Sequence, residues 1–105
     1  MKTVTSKDGT HIAYEQSGTG SAVILVLGAF NERATGAPLS QFIAPQFSVF
    51  NYDRRGRGDS GDTAPYAVER EIEDLDALIA QAGGSACVFG YSSGAILALQ
   101  ARQTR

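Results

Sequence analysis

The chain has 105 residues, 43% of them hydrophobic and 19% charged, with twelve glycines and three prolines; this fits one small globular domain and excludes disordered, collagen-like and fibrous classes. A formal net charge of -2 supplies no field that would draw the protein to nucleic acid or to an anionic membrane. The single cysteine excludes an intrachain disulfide framework, and the longest apolar run, Ala22 to Leu27, is far too short to span a bilayer.

The start, MKTVTSKDGT, carries neither the apolar region of a signal peptide nor a lipidation pattern, so the expectation is a soluble, cytoplasmic protein. Met1 to Thr5 and Thr10 to Gln16 flank Ser6-Lys7-Asp8-Gly9, and Asp-Gly between two β-favouring runs predicts an antiparallel hairpin. AVILVLG follows as an unbroken apolar run, the pattern of a central strand buried on both faces. Pro38 to Pro45 suits a short, broken helix, and QFSVFNYD a second buried strand.

DRRGRGDSGDTAP then reads as a loop, with Asp53, Asp59 and Asp62 as solvated or helix-start carboxylates and Arg54, Arg55 and Arg57 braced by local ion pairs. From about Pro65 onward, Val68, Ile72, Leu75, Ile79 and Ala82 recur at helical spacing, with acids between them in the early turns and Gly83-Gly84 as the stop. Ser85 to Gly90 is a third apolar strand, in which Cys87 is expected as a small buried hydrophobe. The last helix is expected to begin buried around Ala95 to Leu99 and to emerge into solvent at Gln100. Alternating strand and helix predicts an α/β fold: a mainly parallel sheet with flanking helices and right-handed crossovers, preceded by the antiparallel hairpin.

Gly90-Tyr91-Ser92-Ser93-Gly94 is G-x-S-x-G between an apolar strand and an apolar helix. A serine at such a strand-to-helix turn has its hydroxyl held above the carboxyl edge of the sheet, and glycines two residues before and after let the backbone close. Ser92 is therefore the candidate nucleophile, weighed against the plainer role of helix N-cap. The backbone N–H of Ser93, at the helix start, points where an oxyanion would develop. Tyr91 either lines the pocket or packs.

Here the chain resembles the α/β-hydrolase family along its whole length, in the initial hairpin, VLGAF after a buried strand, NYDRRGRGDS and the elbow GYSSG. The resemblance implies an incomplete α/β-hydrolase core, with residues 1–105 forming the amino-terminal half of one domain. It also implies a second oxyanion donor in Gly28-Ala29-Phe30, at the backbone N–H of Ala29. Leu27 departs from the family by standing where many members carry a histidine. The implied activity is that of a serine hydrolase acting on a carboxylic ester or similar small acyl substrate through an acyl-enzyme, with no cofactor; relatives that dehalogenate or open epoxides use an aspartate at the elbow.

A serine hydroxyl needs a base, normally a histidine braced by a carboxylate, and in this family both follow the serine. Thirteen residues follow Ser92 and none is His, Asp or Glu. The sole histidine, His11, reads as an exposed strand residue. The expectation is that a complementary C-terminal polypeptide supplies both groups and covers the edge that the Ser85–Gly90 strand would otherwise leave open, favoured over a truncated product or pairing with a second copy of the chain. The competing reading is a non-catalytic α/β-hydrolase-like binding or interaction module.

Two further motifs fail on context. Gly56-Arg57-Gly58-Asp59-Ser60-Gly61 matches G-x-G-x-x-G, but Thr63-Ala64-Pro65 separates it from the helix, so no helix N-terminus meets a pyrophosphate. Arg57-Gly58-Asp59 as an adhesion tripeptide needs an extracellular setting, of which the sequence gives no sign. No His/Cys cluster has metal-ligand spacing.

Overall fold

The computed structural model describes residues 2–28, 33–90 and 93–104. Its elements are β1 (Lys2–Thr5), β2 (His11–Ser17), β3 (Ser21–Val26), α1 (Arg33–Ile43), β4 (Phe47–Tyr52), α2 (Val68–Gln81), β5 (Cys87–Gly90) and α3 (Ser93–Thr104). The strand order is β1-β2-β4-β3-β5. β4-β3-β5 form the parallel part and β1-β2-β4 the antiparallel part, so the sheet is mixed.

The hairpin turn closes where Asp-Gly predicts it. Gly9 adopts φ +89°, a left-handed conformation that costs a glycine little, and its N–H donates to the Ser6 carbonyl at 2.9 Å. The unbroken apolar run of β3 is explained by two cores on opposite faces. Ile24 and Val26 join Ile12, Tyr14, Phe50 and Tyr52 beneath Leu75 and Leu78 of α2, whereas Val23 and Leu25 meet Val49 on the face that Ile43 and Ala44 cover. Strand alternation sends neighbouring residues to opposite faces, so a strand with helices on both sides needs apolar residues at each position.

α1 differs from its expectation: it begins at Arg33 and carries Pro38 in its interior. Tertiary anchors outweigh the missing N–H of the proline. The Arg33 N–H is fixed on the Asp53 carboxylate, and Gly36 lies so close to Asn51 that a Cβ there would sit 2.8 Å from Oδ1. α2 starts at Val68 and ends as expected, with Gly84 at φ +96° donating its N–H to the Ile79 carbonyl at 2.9 Å.

The largest correction concerns the segment after β4. Asp53, Arg54 and Arg55 are buried, and the arginines pair with the distant helix α2 instead of with local acids. Arg54 grips Glu71 through Nε and Nη2 at 2.7 and 2.8 Å. Arg55 grips Asp74 through Nε and Nη2 at 2.8 and 2.7 Å and reaches Asp8 of the hairpin turn at 2.8 Å. Glu71 and Asp74 accordingly face inward, on the same side of α2 as Leu75 and Leu78.

Two apolar assignments also change. β5 has one neighbouring strand, β3, among the described residues, so Cys87 is exposed and Phe89 is 51% exposed. On α3, Leu97 is 2% exposed whereas Ile96 is 63% exposed. The apolar start of that helix is half uncovered. No helix among the described residues is long and apolar enough to cross a membrane.

Removing one partner of a buried pair strands the other charge. Asp74→Ala should therefore lower unfolding stability by about 3 kcal/mol, the lower end for such pairs because Asp8 keeps part of the Arg55 guanidinium satisfied; equilibrium urea unfolding reads this directly. Burial would raise the Glu71 carboxyl, but hydrogen bonds from Arg54 and Tyr66 outweigh it and hold the group below the usual carboxylate range. The Asp8 carboxyl is lowered chiefly by its hydrogen bond from Arg55. Both groups bind protons more weakly folded than unfolded, so their contribution is complete above roughly pH 4.5 and is lost as the pH falls through their lowered folded values. The urea midpoint should hold between pH 7 and 5 and drop steeply below pH 4.5.

Candidate active site

The parallel strands β3, β4 and β5 end on one rim of the sheet, and what leaves that rim defines the site. β3 continues into buried Leu27 and Gly28. β4 continues into Asp53-Arg54-Arg55. β5 ends at Gly90 and α3 begins at Ser93. A Cβ on Gly90 would lie 2.5 Å from Ala95 Cα, and one on Gly94 would lie 2.2 Å from the Val26 carbonyl oxygen and 2.6 Å from that of Leu27. Neither glycine has a positive φ; both are required by close approach. The first turn of α3 rests directly on the backbone where β3 ends.

Gly28, Gly90, Ser93 and Gly94 are thus gathered at this rim. Ser93 is the first residue of α3, where a backbone N–H has no partner within the helix. Ser92, Tyr91 and Ala29 lie outside the described residues. His11 lies on β2, three strand spacings from β5, roughly 14 Å across the sheet at about 4.8 Å per step. Its ring nitrogen Nδ1 lies 3.4 Å from Thr5 Oγ1. The structure therefore does not bring the histidine to the elbow.

A ring of interactions that the sequence reading did not assign surrounds the exit of β4. Asp53, 1% exposed, accepts from the Arg33 backbone N–H and Nη1, each at 2.5 Å, and from the Asp59 N–H at 2.9 Å. Gly58, at φ +52°, is pressed against it: a Cβ there would fall 2.4 Å from the carboxylate. Asn51 Nδ2 donates to the Arg33 carbonyl at 2.6 Å. On the other face, Arg54 Nη1 donates to the Leu27 carbonyl at 3.1 Å while the rest of its guanidinium holds Glu71. Tyr66 Oη donates to Glu71 Oε2 at 2.5 Å, which together with burial raises the phenol above its ordinary value. Period arithmetic held the available signal: Glu71 shares a helix face with Leu75 and Leu78, at spacings of four and seven.

The glycine-rich segment has no cradle to offer a phosphate. The N–H groups of Gly56, Arg57, Asp59, Ser60 and Gly61 donate to Gly61, Arg54, Asp53, Arg57 and His11 respectively. Ser60 Oγ also donates to the Asp53 carbonyl and accepts from the Ala13 N–H at 2.9 Å, stitching the loop to β2. Leu75, Ile79, Cys87, Val88, Ala98 and Leu99 line an open apolar groove of about 730 Å³ among α2, β5 and α3.

Residues 23–104 match the model of the Alpha/beta hydrolase family. An alpha/beta hydrolase from Sphaerobacter thermophilus DSM 20745 is 64% identical and superposes with a TM-score of 0.96, covering 98% of this chain and 40% of that one. A thermophilic esterase from Thermogutta terrifontis is 28% identical with a TM-score of 0.87, over 97% of this chain and 40% of that one. An uncharacterized hydrolase of Bacillus subtilis (strain 168) is 33% identical over 95 residues, 87% of this chain and 35% of that protein. The chain thus spans little more than a third of the lengths of these relatives. The rim geometry, the family match and the likeness to solved hydrolases agree: the chain belongs to the alpha/beta hydrolase family.

Proposed function

We propose that this chain carries the nucleophile of a serine hydrolase acting on a carboxylic ester or similar acyl substrate. The supporting observation is the succession of strand and helix, Gly90 ending β5 and Ser93 opening α3, with both flanking glycines in backbone contact that a side chain would forbid. A serine at a tight strand-to-helix turn has its hydroxyl lifted above the sheet rim. Ser92 Oγ attacks the substrate carbonyl, and the backbone N–H groups of Ala29 and Ser93 stabilise the oxyanion. The tetrahedral adduct collapses with loss of the alcohol, and water then releases the acid from the acyl-enzyme.

The general base and its carboxylate come from residues outside these 105, since His11 is the one histidine and lies across the sheet. The same complementary polypeptide would pair with the free side of β5 and fill the apolar groove beside it; the exposed Phe89 and Leu99 support this. That the Thermogutta relative is named an esterase supports the ester class.

A fluorophosphonate probe applied to the protein purified with any accompanying chain should label Ser92, and Ser92→Ala should abolish labelling while leaving thermal unfolding within about 0.5 kcal/mol. An intact, folded assembly that takes no label would favour the non-catalytic interaction module. Gly94→Ala should both destabilise the fold, by about 3 kcal/mol given that the clash is with backbone, and slow labelling of what remains folded.

A further inference from the structure

Adjacent residues at the exit of β4 hold the two ends of a neighbouring connection. Leu27 is the last buried side chain after β3, Arg33 is the first residue of α1, and residues 28–32 join them. Arg54 Nη1 donates to the Leu27 carbonyl at 3.1 Å, and Asp53 Oδ1 accepts from the Arg33 backbone N–H at 2.5 Å. Asp53 thus reaches the start of α1, and Arg54, held by Glu71, lies towards α2. We propose that Asp53 and Arg54 act as a pair of positioning residues that fix the connection carrying Gly28 and Ala29, and so the oxyanion-holding geometry. This rests on the serine-hydrolase reading given above.

Each member is itself locked. Glu71 neutralises Arg54 through two bonds and leaves Nη1 for the carbonyl, a division of labour that the planar guanidinium allows and an ammonium does not. Asp53 is held by the Asp59 N–H and by the close approach of Gly58, and its second oxygen takes Arg33 Nη1. Oxyanion donors act only within about 2.7–3.1 Å of the developing charge, and misplacement by about 1 Å can cost a hundredfold in rate. Arg55 supplies an internal contrast: it is equally buried, and its guanidinium bonds go to the carboxylates of Asp74 and Asp8.

The test compares Arg54→Lys and Asp53→Asn with Arg55→Lys, each in the protein with any accompanying chain. The rate of fluorophosphonate labelling per folded molecule should fall at least about tenfold in the first two and by less than about twofold in the third, although all three lose thermal stability. Hydrogen exchange reads the clamp without reference to catalysis: peptides covering residues 27–35 should exchange about tenfold faster in Arg54→Lys and Asp53→Asn, with the β3 peptides unchanged. Native labelling rates in Arg54→Lys, or an equal loss in Arg55→Lys, would overturn the positioning role. Native protein that takes no label at all would remove the serine-hydrolase reading and the catalytic purpose of the clamp, whereas unchanged exchange over 27–35 overturns the clamp itself.

Discussion

Two arginines buried side by side at the end of β4 are the constraint around which the molecule is organised. A guanidinium cannot shed its charge, so each must be surrounded by carboxylates and carbonyls wherever it is buried. Arg54 takes Glu71 and the Leu27 carbonyl; Arg55 takes Asp74 and Asp8. Through these bonds, α2, the end of β3 and the first hairpin turn are all referred to one point on the sheet. Apolar packing would let α2 slide along its groove; the two bidentate pairs, one helical turn apart, fix its register.

The rim of the sheet gains its form from that register. α2 and α3 share the same face over Ile24 and Val26, and α3 begins in backbone contact with the end of β3. The carbonyl that Arg54 holds belongs to Leu27, which also lies against Gly94. Helix placement, the exit of β3 and Gly94 therefore meet at a single peptide group.

Much of this was legible in the sequence. The Asp-Gly turn, the two-faced apolar run of β3 and the periodicity of α2 each follow from a short-range rule and lie where the rule puts them, and Gly90 and Gly94 fall at the end of a strand and the start of a helix. α1 was misread because its start depends on Asp53, twenty residues later, and Pro38 argued against it. The arginines read as part of a solvated loop braced by local ion pairs because charge in a glycine-rich segment is usually solvated, and no local pattern reveals a partner on another element. Glu71 and Asp74 are the instructive case: their helix phase marked them as inward-facing, while their chemistry suggested the opposite. Cys87 and Ile96 were misassigned in the other direction, since composition reports what a side chain prefers and the number of neighbouring strands decides what it receives.

The strand order carries a kinetic consequence. β2 is followed in the chain by β3 but hydrogen-bonds to β4, and β3 receives partners that come later in the chain on both sides. The sheet cannot be laid down strand by strand in order of synthesis. The first hairpin can zip early, yet its docking awaits about thirty further residues and the closure of a loop around β3, so assembly is a late, concerted event dominated by long-range pairing. A nascent chain of this topology emerges from the ribosome with its most apolar strand synthesised early and paired late, and the interval between those two moments is when it most needs shelter from its neighbours.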